Sequence, residues 1–328
     1  MLQYLIILLD DTATSYCHYN VPKREPRLIS IENLKKGILF AMKENLSIQF
    51  IYPDFPLPEE YNTVIESIDH VKIKPAASAL RSDAEIIVFQ SVDELLSLSL
   101  TPDTTCALRT TKKELFDNAH TVGDILGRVS RLNIVITDVE TFTEENYVDY
   151  SNFLSSLGQK VKTLFVNGDS PQINILTDRL VLDKMNNCNA GQTNVTLAPD
   201  GRFYVCPAFY YEKAENKFMG LGGPEESPYS IGNVDSGLDI KNPQLYKLDH
   251  APLCRNCDAF QCKRCVWLNR KLTREINTPS HEQCVIAHIE RNASKRLLED
   301  IRAHGTFLPD KEIKEISYLD PFDVKEEW

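Results

Sequence analysis

The sequence predicts an α/β fold: a parallel sheet with helical crossovers, followed by a small cysteine-rich part. The first half alternates short β-rich runs with helical spacings, the βαβα order of a parallel sheet. Seven of the nine cysteines then fall between Cys188 and Cys284. The length of 328 residues and the 42% hydrophobic fraction suffice for a sizeable core and about two domains.

Taken in order, residues 4–9 (YLIILL) read as a buried strand. Residues 29–44 have helical spacing, with Leu34, Ile38, Leu39 and Met42 on one face and Ser30 able to open the helix. Residues 47–52 form the next strand, stopped by Pro53, and residues 61–68 a helix. Residues 71–73, 85–89 and 105–108 read as strands, 112–129 as a helix and 132–137 as a strand. A helix over 144–157 and a strand over 161–166 complete the alternation. Residues 194–198 and 202–206 flank Pro199-Asp200-Gly201, a hairpin with turn chemistry at its tip. A polar loop covers 212–228, and a short element starts at Ile231. Ser280 with Gln283 three residues on forms a capping box for a long helix reaching about Ala303, with Gly305 just beyond. Cys284 is thus expected in that helix's first turn, and an acidic tail runs from Asp310.

The net charge of −11 with no basic stripe argues against nucleic acid as the main partner. Lys263-Arg264 and Arg270-Lys271 read as solvated surface, or as counter-charge to a thiolate–metal centre. The start, MLQYLIILLDD, is short, lacks a basic opening and ends in two aspartates. It reads as a strand, with no signal peptide or membrane span, so a cytoplasmic protein is expected, in which clustered cysteines bind metal more often than they form disulfides. No glycine-rich phosphate loop, GxSxG or HExxH motif is present.

The cysteines follow an order: Cys188-x12-Gly201-x4-Cys206, a gap, Cys254-x2-Cys257-x4-Cys262-x2-Cys265, a gap, and Cys284. Thiolates are soft ligands suited to zinc or to iron–sulfur clusters. Four residues between two CxxC pairs are few for a zinc ribbon, and seven thiolates exceed one zinc site. Two four-ligand clusters would need eight, so seven leave one iron position open or filled by another group. Iron–sulfur binding stands ahead of zinc, and both remain open. Cys106 reads as core, Cys17 as a strand-end cysteine or a functional thiol, and His18 as a surface loop residue. Asp10 and Asp11 are adjacent in an extended chain and point opposite ways. Tyr204, Phe209, Tyr210 and Tyr211 read as packing that shields a cluster, or as the lining of a peptide groove.

This cysteine order resembles the SPASM domain, which follows the catalytic barrel of many radical S-adenosylmethionine (SAM) enzymes acting on peptides and proteins. The phrases PDGRFYVCP and IGNV are similar to that family as well, and the likeness covers residues 186–290. Inside the second group the family usually has five residues and then three, where this chain has four and then two. The resemblance implies two auxiliary [4Fe–4S] clusters, one on Cys188, Cys206 and Cys265 with an open position, the other on Cys254, Cys257, Cys262 and Cys284. Radical SAM enzymes carry Cys-x3-Cys-x2-Cys after the first strand. Here the place reads DDTATSYCHY, so Cys17 matches the third cysteine, and Asp10 and Thr14 stand at the other two positions. The stretch YPDFPLP replaces the family's glycine-rich cofactor segment. The barrel therefore looks like a degenerate, partial radical-SAM-like (β/α) barrel, and no SAM is expected.

Chains of this kind are similar to the CXXX repeat peptide maturases, associated with ribosomally made peptides that carry cysteine repeats. The expected organisation is a degenerate barrel over 1–185, a SPASM-like iron–sulfur domain over 186–290, and a helix end with an acidic tail over 291–328. The expected partner is a cysteine-repeat precursor peptide, with neither nucleic acid nor membrane. Three readings stay open: a peptide-modifying redox protein, a non-catalytic partner presenting the peptide to an intact radical SAM enzyme, and a zinc-stabilised structural module.

Overall fold

The computed structural model of the protein describes residues 2–17, 25–77, 83–212 and 229–314. Its strands are β1 (Tyr4–Leu8), β2 (Ser47–Ile51), β3 (His70–Pro75), β4 (Ile86–Phe89), β5 (Thr105–Thr110), β6 (Arg131–Ile136), β7 (Gln172–Ile173), β8 (Asn194–Leu197), β9 (Arg202–Tyr204), β10 (Ser230–Asn233) and β11 (Gly237–Leu238). Its helices are α1 (Ile31–Lys43), α2 (Glu59–Ile65), α3 (Val92–Leu96), α4 (Lys112–Asp117), α5 (Ala119–Ile125), α6 (Glu144–Val166), α7 (Asp178–Val181), α8 (Pro207–Tyr211), α9 (Val266–Thr273) and α10 (His281–Arg302). Two units result, each assembled from separated stretches. The first takes Met1–Gln90, Cys106–Arg109 and Asn189–Ala251, and the second takes Ser91–Thr105, Thr110–Cys188 and Pro252–Trp328.

In the first unit the strands run β8-β1-β2-β3-β4-β5 with all neighbours parallel, the βαβ sheet expected from the alternation. β9, β10 and β11 extend it antiparallel beyond β8. β1 lies between two parallel partners, with Tyr4 opposite Ser47 on one side and Asn194 on the other. Leu5, Ile7 and Leu8 are fully buried. A strand covered on both faces needs an unbroken apolar run, which YLIIL supplies.

Ser30 caps α1 by accepting from the Asn33 N–H at 3.1 Å, as expected. The buried stripe of α1 is Leu34, Gly37, Ile38 and Ala41, whereas Leu39 is 50% and Met42 64% exposed. The expected apolar face was therefore rotated. The stripe centres on Gly37, where a Cβ would stand 2.3 Å from the Leu197 Cδ2 atom of β8. Close approach of helix to sheet decides which face is inward, not the bulkiest side chains. The β8–β9 hairpin forms at Pro199-Asp200-Gly201: Gly201 has φ +77° and its N–H bonds the Ala198 carbonyl at 2.9 Å. Asp200 steadies the turn, accepting from the Arg202 N–H at 3.1 Å and the Tyr204 hydroxyl at 2.7 Å.

In the second unit β6 and β7 pair in parallel, and α6 packs along α10. The strand expected over 161–166 is instead the end of α6. Tyr147, Tyr150, Phe153, Leu154, Leu157 and Val161 keep one buried helical stripe, so the 3.6-residue period overrides the β-branched composition. The helix expected over 112–129 is broken at Asn118, whose side-chain amide bonds the Glu114 carbonyl at 2.8 Å and so competes with the helical ladder. Among the described residues no helix is long and apolar enough to cross a membrane. Most of the polar loop, most of the acidic tail, and His18 lie outside the described residues.

Gly201→Ala should destabilise the protein by about 1–2 kcal/mol, the cost of a left-handed residue with a Cβ, read as a lower urea midpoint at unchanged slope. An unchanged midpoint would show that the turn tolerates a side chain.

Candidate functional site

The second unit gathers four thiols. Cys254 and Cys257 share one turn, with the Cys257 N–H on the Cys254 carbonyl at 3.0 Å. Cys262 follows in the next turn, its N–H on the Ala259 carbonyl at 2.9 Å. Cys284 sits in the first turn of α10, as expected, behind Ser280, which accepts from the Gln283 N–H at 3.3 Å. Cys254, Cys257 and Cys284 all lie within electrostatic reach of Cys262 and help hold its thiol protonated. Burial is the larger cause and pushes Cys262 well above the usual thiol range. Burial likewise pushes Cys254 up to about 11 and raises Cys257. Deprotonation of such thiols needs a compensating positive centre, and a metal that takes thiolates releases their protons.

Backbone N–H groups already point at two of these sulfurs. The Ala259 N–H reaches the Cys257 Sγ, and the Arg264 N–H reaches the Cys262 Sγ, each at 3.4 Å. The second of these uses a φ of +44° at Arg264, an uncommon conformation for a residue with a side chain. Arg264 is 2% exposed, so the solvated-surface reading of Lys263-Arg264 does not hold for Arg264, whose charge favours the thiolate of Cys254. The His288 Nε2 atom lies 3.5 Å from the Cys257 Sγ. Burial holds its imidazole below the ordinary range.

The cysteine loop is held by polar contacts at almost every step. Asp258 takes Arg291 Nε at 2.7 Å and Arg179 at 3.6 Å, and Arg179 also donates to the Asp258 carbonyl at 2.7 Å. Gln261 donates to the Ala287 carbonyl at 2.7 Å and to Glu290 at 3.2 Å. The segment before Cys188 lies along the same loop, with the Asn186 N–H on the Phe260 carbonyl at 2.8 Å and the Cys188 N–H on the Lys263 carbonyl at 3.1 Å. Cys265 stands at the N-cap position of α9 without a side-chain capping bond, and Cys188 is exposed. Among the described residues no three or more His, Cys, Asp or Glu side chains are closed on a point that would hold a single metal ion. By donor chemistry, four thiols, two of them with backbone N–H groups at their sulfurs, suit a thiolate-bound iron–sulfur group.

In the first unit Cys17 and Cys206 make a second constellation. The Cys17 thiol is hydrogen-bonded to Cys206 and Ser15 and receives the Ala208 N–H, with Arg109 in electrostatic reach. These contacts, the one to Cys206 first, hold Cys17 below the usual thiol range against the opposing effect of burial. In the sequence Cys17 stands as an isolated thiol. Only the packing of α8 against the loop after β1 shows its neighbour, and no spacing rule links positions 17 and 206. Cys106 is core, as expected, and burial pushes its thiol to about 12. Tyr204, Phe209, Tyr210 and Tyr211 are all buried, and the ring of Tyr210 contacts those of Tyr204 and Tyr211. Asp10 accepts from the Thr12 N–H at 2.7 Å, and Asp11 pairs with Arg27 at 2.9 Å.

Among solved structures, histidine-tagged anSMEcpe with bound AdoMet superposes at a TM-score of 0.59 with 12% identity, over 92% of this chain and 96% of that one. Native anSMEcpe with bound AdoMet gives 0.58 and 14%, over 91% and 99%. The same protein with AdoMet and the Cp18Cys peptide gives 0.58 and 14%, over 92% and 99%. anSMEcpe is an anaerobic sulfatase-maturating radical SAM enzyme. This chain shares the fold of radical SAM enzymes. No protein-family model matches the sequence, and no curated protein does.

Glu290 gives this region a pH dependence. Burial, opposed by bonds from Tyr150 at 2.8 Å and from Gln261, raises its carboxyl to about 7. A raised folded value favours the protonated acid, so the contribution of this carboxyl to stability is fully present below about pH 4.5 and is lost as pH rises through 7. The loss is about 3 kcal/mol for the shift from 4.5 to about 7. Urea midpoints of wild type and Glu290→Gln should diverge across that window, the variant losing less. A constant difference from pH 4.5 to 8 would show an ordinary carboxylate.

Proposed function

We propose that this chain is an iron–sulfur protein holding a cluster on Cys254, Cys257, Cys262 and Cys284, and that it binds the cysteine-containing precursor of a ribosomally made peptide during its maturation without cleaving SAM itself. The gathering of three thiols about Cys262 carries the reading. The cysteine order, which resembles the SPASM domain, selects the same four residues independently. When bound, the cluster would supply an electron-transfer centre. The chain's residues orient the thiols through Asp258 and Gln261, point the Ala259 and Arg264 N–H groups at two sulfurs, and bury Cys254 while the other three stay half-buried.

Support for inactivity toward SAM comes from the first loop, where Asp10 and Thr14 stand in place of two cysteines and the Asp10 carboxylate is engaged by Thr12. Support for a peptide partner comes from the CXXX maturase resemblance and from a solved protein of this fold that binds a peptide. The net charge of −11 favours a neutral or basic peptide over a strongly acidic one.

Anaerobic reconstitution should load about four irons and a matching amount of acid-labile sulfide on these cysteines, as a [4Fe–4S] cluster requires, and Cys262→Ala should lose them. Stoichiometric zinc without sulfide would contradict the cluster. The loaded protein with a strong reductant should give no 5′-deoxyadenosine above a protein-free control. It should bind a cysteine-repeat peptide by isothermal titration, and no binding to that peptide would overturn the partner.

A further inference from the structure

The sulfur of Cys257 is met by two nitrogens. The Ala259 N–H reaches it at 3.4 Å from its own loop, and the His288 Nε2 atom stands 3.5 Å away on α10. Cys284 and His288 are four residues apart on α10, so one face of that helix carries a thiol of the set and, a turn later, the imidazole. The neighbours of His288 along the helix fix its place. The Ala287 carbonyl accepts from Gln261 at 2.7 Å, and Arg291 pairs at 2.7 Å with Asp258, the residue after Cys257. Helix and loop are thus clasped on both sides of the imidazole, whose Nδ1 atom is buried. Two buried guanidiniums, those of Arg179 and Arg291, both pair with the one carboxylate of Asp258. Arg179 Nη1 and Arg291 Nη2 are buried with no hydrogen-bond partner, so this neighbourhood is richer in donors than in acceptors.

A thiolate bound to a metal carries no proton, so a ring nitrogen facing its sulfur can only donate. An N–H···S bond strengthens as negative charge on the sulfur grows, and reduction of a cluster adds that charge. A donor placed here therefore favours the reduced form and raises the potential, which hydrogen bonds to the sulfurs help to set. We propose that His288 is a positioning residue that donates its Nε2–H to the Cys257 sulfur and so raises the reduction potential of the cluster, without being one of its ligands. The inference rests on the cluster reading given above and adds to it the residue that tunes electron affinity. The donors from Ala259 and Arg264 belong to the backbone, whereas the one from His288 is a side chain that a substitution removes.

The test compares full-length wild type, His288→Gln and His288→Leu after anaerobic loading with iron and sulfide. Glutamine keeps an N–H donor at nearly the same reach, and leucine removes it. Iron and sulfide are counted, and the potential is read by redox titration. The three should load equally. His288→Leu should titrate lower by roughly a tenfold shift in the one-electron equilibrium, about 59 mV, and His288→Gln should stay close to wild type. Pulsed electron paramagnetic resonance of the reduced wild type carrying 15N-histidine gives a second measurement, which decides the matter if leucine lowers the iron count. A weak coupling to a histidine nitrogen, missing from His288→Gln, supports the donor. Equal potentials in wild type and His288→Leu at equal iron would overturn the inference. So would a nitrogen coupling as large as that of a directly bound imidazole, or no histidine coupling at all. These outcomes leave the cluster itself standing, whereas a wild type that takes up no iron and sulfide overturns the cluster reading and this inference together.

Discussion

Asp258 stands between Arg291, which is fully buried, and Arg179, which is 3% exposed. Burying a guanidinium is expensive unless it is paired, and removing one partner of a buried pair costs about 3–5 kcal/mol. Two buried arginines converging on one aspartate therefore fix that residue and its neighbours in one place. Its neighbour Cys257 is positioned by this clamp, and the loop continues through Phe260, against which Arg179 packs at 4.4 Å, to Gln261 and Cys262. The same arginines favour the thiolate of Cys257, and Arg264 favours that of Cys254, while burial opposes both. An anionic thiolate–cluster group would meet that positive potential. The local φ of +44° at Arg264 is the backbone cost of aiming an N–H at the Cys262 sulfur.

α10 is the frame on which this depends. It contributes Cys284 from its first turn, His288 beside Cys257, the Ala287 carbonyl and Glu290 to Gln261, and Arg291 to Asp258. These positions recur every three or four residues, so one face of one helix touches the cysteine loop repeatedly. Glu290 also bonds Tyr150 of α6, which ties the loop to the core of the second unit through a carboxyl that titrates near neutrality.

The parallel sheet was readable because each strand carries a short, nearly continuous apolar run and each crossover a helical period. The hairpin was readable because Gly201 sits where φ must be positive. Residues 161–166 were misread because β-branched composition was weighed above the continuing spacing from Leu157 to Val161. The inward face of α1 was misread because Gly37, with no side chain to count, marks the closest contact. The cluster residues were legible as a set from their order. The groups that hold them were not, since Asp258, Gln261 and Glu290 resemble any surface polar residues until Arg179, Arg291 and Tyr150 are seen against them. Cys17 and Cys206 are separated by most of the first unit's sequence, and only tertiary packing joins them.

The central claim is that Cys254, Cys257, Cys262 and Cys284 act as one thiolate set. The most direct measurement is alkylation of each cysteine by iodoacetamide, quantified by mass spectrometry before and after anaerobic loading with iron and sulfide. The account predicts that these four become protected together on loading and are released together by chelation. Protection of only some of the four, or equal protection by zinc alone, would contradict it.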